Sequence, residues 1–174
     1  MFAAPPALAM FEFLDLTHKT IQEELGKLRV LVQAIEAEKI SPMQQKSLAT
    51  ICDYFEHEVK HHHLDEEKHV FPALYESSDP QIHQVADQLK QDHGWLEQNW
   101  LELSPSLVAA SQGNNWFDMA ELAHGFEVFE ALYADHMVLE ESIAFKSAQD
   151  LPRHWDTMAI GREMAQRRAA KKHA

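Results

Sequence analysis

The sequence predicts an all-α protein, an antiparallel up-down-up-down four-helix bundle with a short fifth helix at its C-terminal end. Three observations predict it. Apolar residues recur at three- and four-residue spacing through four long stretches, the period of a helix that buries one face. Only 5 of the 174 residues are glycine, fewer than a turn-rich sheet protein needs. Cap residues and prolines stand where one periodic stretch gives way to the next.

The first helix is expected over residues 12–38, on a stripe of Leu14, Ile21, Leu25, Leu28, Val32 and Ile35. Ser41-Pro42-Met43-Gln44 then supplies an N-cap, a proline at the first helical position and a capping-box glutamine. The second helix runs from there to residue 76, with a bend expected near Pro72. Asp79-Pro80 repeats the cap-and-proline signal for the third, which the stripe carries past Pro105 to residue 112. Gly113 is the stop, and Asn114-Asn115 are expected to cap the fourth helix, which reaches residue 149. Asp150-Leu151-Pro152 breaks it, and the fifth helix is placed over 153–168. The bundle thus occupies 11–149, and 150–174 form a C-terminal helix and basic tail. Arg162, Arg167, Arg168, Lys171 and Lys172 face only Glu163 there. That composition reads as a solvated helix end or a disordered tail, in preference to a docking segment.

Bulk properties narrow the function. A chain of this length forms one domain with a sizeable core. The formal net charge of −13 argues against nucleic acid or anionic lipid as a partner, since both require a positive footprint. No run is long and apolar enough to span a bilayer. The opening MFAAPPALAM has no positive segment and is broken by Pro5 and Pro6, unlike a secretory signal. The single Cys52, among apolar neighbours, reads as a core thiol. The cytoplasm is the expected location.

Each apolar stripe is interrupted by a histidine: His18 on the first, His62 on the second, His93 on the third and His136 on the fourth. Glu66 and Glu140 also fall on the second and on the fourth, whose inward stripe continues to Ile143. A carboxylate in an apolar stripe costs several kcal/mol unless something pairs with it, so two carboxylates and four imidazoles facing one core point to a bound metal. In an antiparallel bundle, residues equally far from a shared turn lie at one height. His18 is 22 residues before the turn near residue 40 and His62 is 22 after it. His93 is 20 before the turn near residue 113, at the same end, and His136 is 23 after it. The four histidines therefore meet within about one helical turn, roughly 5 Å. Glu-x-x-His pairs of the ferritin type also occur, at Glu58/His61, Glu66/His69 and Glu121/His124. His124 is about 15 Å from the level of the nearest of the other histidines, so these pairs share no site.

HHHLDEEKHVFP (61–72) and HMVLEESIAF (136–145) resemble the two His-x-x-x-Glu-Glu segments of the hemerythrin-like, or HHE cation-binding, family. QDHGWLEQ (91–98) is similar to that family's third-helix histidine segment, and DLTHKTIQEEL (15–25) to its first. The resemblance implies His18, His62, Glu66, His93, His136 and Glu140 as ligands, the same six selected by the stripes, with Glu141 as the alternative to Glu140. It implies a non-haem di-iron centre bridged by Glu66 and Glu140, although the donor set also suits zinc or manganese. Tyr133, Glu67 and Glu141 are expected to orient the imidazoles. Oxygen-carrying members have a further histidine where this chain has Glu97, so either Glu97 is a ligand or a position opens on the second iron.

The remaining histidines of the triplet, His61 and His63, and His57 read as surface groups or groups behind the ligands, because three adjacent residues span about 200° of a helix. Trp95, Trp100, Trp116 and Trp155 read as packing aromatics. The leading expectation is a protein that binds or senses dioxygen, peroxide or nitric oxide, with no protein partner identified. A di-iron enzyme of peroxide or nitric oxide detoxification or of iron–sulfur repair is the alternative, and a metal-free interaction module a third.

Overall fold

The N-caps lock the helices where polar side chains can take up the free backbone N–H groups. The Ser41 hydroxyl accepts from the Gln44 N–H at 3.3 Å, and the Gln44 side chain accepts from the Ser41 N–H at 2.9 Å. Asp79 accepts from the Gln81 N–H at 2.9 Å. These are the reciprocal and single caps that the sequence signals. The computed structural model describes residues 8–151 and 155–171; Pro5, Pro6, Pro152 and Lys172, all invoked above, lie outside them.

Among the described residues every regular element is helical. The order is α1 (Met10–Glu36), α2 (Pro42–Asp65), a π-helical turn (Glu66–Val70), α3 (Phe71–Tyr75), α4 (Pro80–Ser111), α5 (Met119–Leu139), a second π-helical turn (Glu140–Ala144), α6 (Phe145–Asp150) and α7 (Thr157–Lys171). The second expected helix thus runs through α2, the first π turn and α3, and the fourth through α5, the second π turn and α6.

One expected cap differs, while the third helix passes Pro105 as expected. The fourth helix starts at Met119 rather than behind Asn114-Asn115, because the Asp118 carboxylate accepts from the N–H groups of Ala120 and Glu121 at 2.8 and 3.0 Å. Pro105 sits inside α4 without ending it. Gly113 does terminate α4: its φ of 79° is left-handed, and Asn114 donates back to the Ala109 carbonyl at 2.9 Å.

α1 packs against α2 and α5, and α4 packs against the same two. The core they share has two apolar bodies. One joins Ile21–Ile35 of α1 to Leu48, Phe55 and Val59, to Leu96 and Trp100, and to Phe129 and Tyr133. The other joins Met10 and Leu14 to Val70, Phe71, Leu89, Ala144, Phe145 and Met164. Between them, in every one of the four helices, lies the polar layer described below.

The C-terminal helix corrects the expectation of a solvated tail. α7 docks on α1 and α2. Asp65, fully buried, accepts from Arg167 at 2.5 Å and from Arg168 at 2.6 Å. The Arg168 guanidinium also lies 4.7 Å over the Phe13 ring. Gly161 permits the close approach, since a Cβ there would meet the Leu8 carbonyl oxygen at 2.0 Å. Charge composition alone could not reveal this, because the partner is a lone aspartate some hundred residues earlier. Two of the four tryptophans are likewise not packed: Trp95 and Trp116 are exposed, whereas Trp100 is buried and donates to Glu56 at 2.9 Å.

Candidate metal centre

His18, His62, Glu66, His93, His136 and Glu140 are all buried to within 2% of complete, and the four helices bring them to one place. Each carboxylate reaches both sides of the layer. Glu66 presents Oε1 to the Nε2 atoms of His62 and His18, at 3.3 and 3.6 Å, and Oε2 to Nε2 of His93 at 3.5 Å. Glu140 presents Oε2 to His18 Nε2 at 3.2 Å, and Oε1 to His136 and His93 Nε2 at 3.2 and 3.9 Å. Donor atoms of His18, His62, Glu66 and Glu140 lie within 4.8 Å of one another, and so do those of Glu66, His93, His136 and Glu140. The arrangement is two adjacent pockets sharing two carboxylates. Glu141 is turned away from this shared space, so Glu140 is the inward carboxylate of its pair.

Both inward carboxylates open a π-helical turn. The Phe71 N–H bonds to the Glu66 carbonyl, and the Phe145 N–H to the Glu140 carbonyl, five residues back in each case. Pro72, which has no N–H to offer, explains a ladder shift in the first turn only; the second contains no proline. What the two share is the Glu-Glu pair, and π turns of this kind concentrate at functional sites. The widened turn lets consecutive glutamates serve different helices. Glu67 accepts from His93 Nδ1 at 2.9 Å, and Glu141 from His18 Nδ1 at 2.9 Å. Tyr133, also expected to orient an imidazole, is buried with its ring 6.5 Å from that of His63. The second π turn also moves the apolar stripe by one residue. Ile143, expected inside, is 38% exposed, and Ala144 is buried in its place.

Of the two placings expected for His63, at the surface or behind the ligands, burial excludes the surface. The His63 ring stacks on His93 at 4.0 Å, with donor atoms of His63, His93 and His136 within 4.8 Å of one another. Helix α2 faces a layer wide enough to take two successive residues 100° apart. Its neighbour His61 is buried too, while His57 is exposed. Glu97 stands at the rim, 52% exposed, 3.9 Å from His63 Nδ1. A usable signal existed. His63 follows His62 as Met137 follows His136, and methionine at that place reads as core. A cavity of about 10 Å³ adjoins His63, Glu97, Trp100, Phe129 and Tyr133, room for one water-sized group.

The layer's electrostatics are those of a cation site held together by protons. Burial opposes charge on His18, but the carboxylates of Glu140 and Glu66 beside it outweigh burial and push it up to about 11. The same opposition holds His93 well above the usual imidazole range and His136 at about 9. Burial and the charged His18 push His62 down, and burial with His93 takes His63 to about 4. Burial and the neighbouring Glu140 raise Glu66, whereas the facing His136 and His18 overcome burial and hold Glu140 well below its ordinary value. Proximity has not satisfied these groups. Nε2 of His18, His93 and His136, and all four carboxylate oxygens of Glu66 and Glu140, lack a hydrogen bond among the described residues. Buried polar atoms are almost always bonded, so donors left unpaired around a common space fit a metal ion.

All-helical architecture around a buried His/Glu layer places the protein among helical cation-binding domains. More narrowly, the chain belongs to the hemerythrin family: the hemerythrin HHE cation binding domain matches residues 9–148. It is also similar to an uncharacterized protein of Haemophilus influenzae, 27% identical over 161 residues, covering 92% of this chain and 90% of that one.

Proposed function

We propose that the chain is an up-down-up-down bundle holding two iron ions between Glu66 and Glu140, where it binds or senses dioxygen, peroxide or nitric oxide. The observation that carries the reading is the shared use of the two carboxylates, each with one oxygen toward His18 and the other toward His93 or His136. His18 and His62 would hold one ion, and His93 and His136 the other. Zinc or manganese fits the same donors. A pair of bound iron ions supplies Lewis-acidic, redox-active chemistry for a small oxidant.

The protein's own groups prepare the layer for that role. Glu67 and Glu141 accept from the Nδ1–H of His93 and His18, which orients each ring so that Nε2 faces inward, where its lone pair is free to meet an ion once the proton there is lost. Phe145 stacks on His18 and Phe71 on His93, each at 5.3 Å, closing the layer to water from the side of the second apolar body. A diatomic molecule or peroxide is the size of ligand such a layer admits. No helix among the described residues is long and apolar enough to cross a membrane, and the reading places the protein in the cytoplasm.

Metal content by plasma mass spectrometry, with an optical spectrum taken before and after admission of air, tests the proposal. About two irons per chain and a spectrum that changes with air are expected. Zinc alone, or no metal in protein from iron-replete cells, would overturn the redox reading.

A further inference from the structure

We propose that Asp65 is a positioning residue for the metal layer, clamped in place by Arg167 and Arg168 of α7. The clamp fixes the turn that presents Glu66 and Glu67, so α7 sets the layer's affinity for its ions and is tightened by them in return. The inference rests on the dinuclear reading above and adds to it an element outside the four helices of the layer.

The first π turn has two faces, and its residues divide between them. Inward, Glu66 meets His18, His62 and His93, and Glu67 accepts from His93. The others turn to α7. Lys68 pairs with Glu163, His69 Nε2 lies 3.5 Å from the same carboxylate, and Val70 shares an apolar body with Met164. Asp65 opens the turn, is fully buried and gives one oxygen to each arginine. Its Oδ1 accepts from Arg167 at 2.5 Å and its Oδ2 from Arg168 at 2.6 Å. Two charge-assisted bonds to different donors fix the plane of the carboxylate as well as its position. The arginines are themselves held. Arg167 also donates to Glu163 at 2.7 Å, and Arg168 to the Met164 carbonyl at 3.1 Å. The second π turn supplies the contrast. Leu139 stands where Asp65 does, Ser142 donates back to the Val138 carbonyl at 2.5 Å, and Ile143 is 38% exposed. A buried ion pair is a poor stabiliser beside an apolar contact of the same size, so Asp65 is better explained by what it orients. Loosening it frees the next residue, Glu66, and Glu67 with it. Groups that orient metal ligands typically contribute about 10–100-fold to affinity. Linkage then requires the ions to strengthen the docking of α7 by the same factor.

Zinc(II) is the probe, and hydrogen exchange in the intact chain reads the state of α7. Loading two zinc ions is expected to slow exchange of the amides of residues 157–171 by about tenfold or more relative to the metal-free protein. Unchanged exchange in α7 with two ions bound would overturn the proposal. The triple variant Asp65→Leu, Arg167→Ala, Arg168→Ala lacks the clamp without stranding a buried charge. It is expected to keep most of the wild-type stability yet to bind zinc about tenfold or more weakly, a split that a purely structural role would not produce. Gly161→Ala undocks α7 from its other end, through the clash of the new Cβ with the Leu8 carbonyl, and leaves Asp65, Arg167 and Arg168 in the chain. The same weakening is expected there. Wild-type zinc affinity in both variants would contradict the clamp. Failure of the wild-type protein to take up two ions would instead overturn the dinuclear reading on which the clamp rests.

Discussion

Residues 62–71 and 136–145 are two versions of one device. Each begins with an inward histidine and places an inward glutamate four residues on. Each then uses the next glutamate to hold a histidine of another helix, and ends on a phenylalanine stacked on that histidine. Glu66, Glu67 and Phe71 do for His93 what Glu140, Glu141 and Phe145 do for His18. The two π turns are the backbone counterpart of this equivalence. The segments differ most tellingly at two buried or bordering places. Where the second has Met137 and Leu139, the first has His63 and Asp65. The lesson is that the shared residues build the paired pockets, and the unshared ones distinguish them. His63 stacks a buried imidazole on His93, on one side only. Asp65 ties the first segment to α7 through Arg167 and Arg168, a tether that Leu139 has no chemistry to make.

The largest effect should come from the residues the two segments share. Replacing either Glu66 or Glu140 by leucine removes an oxygen from both pockets. Each variant is expected to fall from two ions per chain to none, whereas His62→Ala, which touches one pocket, retains about one. Metal analysis of the folded proteins distinguishes these outcomes. Chelation of the loaded wild-type protein should lower its melting temperature by about 10 °C, since a ligand at a thousand times its dissociation constant contributes about 4 kcal/mol.

Next in size is the tether that only the first segment has. Arg167→Ala with Arg168→Ala strands Asp65 without a partner in the interior, at a cost of about 3–5 kcal/mol. Adding Asp65→Leu, the residue of the second segment, should recover most of that loss. Urea unfolding of the double and triple variants checks it, and equal midpoints for the double variant and the wild type would show that the pair is not tied.

Smaller again is the effect of the outer glutamates. Glu67→Gln and Glu141→Gln should each weaken metal binding about 10–100-fold, and by similar factors if the two devices are equivalent. Competition with a coloured chelator measures both. A tenfold disparity between them would break the equivalence.

The mildest test is pH. In metal-free protein the pKa of His18 is raised to about 11 and that of His136 to about 9. Their stabilising contribution is therefore complete below an unfolded value near 6.5 and is lost as pH rises through 9 and then 11. The metal-free protein should lose stability between pH 7 and 10. Metal uptake must expel these protons, so apparent affinity rises over the same range. Calorimetric titrations in two buffers of different ionisation enthalpy would count the protons released.

Much of this was legible in the sequence, for definable reasons. Helical periodicity located the long helices, and the near-equal distances of His18, His62, His93 and His136 from their turns required only the rise of a helix. What was not legible depends on geometry that spacing does not encode. A π turn leaves no mark in composition, so Ile143 was placed inside when Ala144 is. His63 was left between the surface and a place behind the ligands, because three adjacent residues span about 200° of a helix. The docking of α7 depends on Asp65 and on room at Gly161, both remote in sequence from the arginines they serve. Asp118 outcompeted Asn114 and Asn115 because its carboxylate sits where two backbone N–H groups converge.

Anomalous diffraction at the iron absorption edge, from crystals of protein made in iron-replete cells, tests the central claim most directly. Two peaks are expected between Glu66 and Glu140, one beside His18 and His62 and the other beside His93 and His136. A single peak, or none at that layer, would contradict the account.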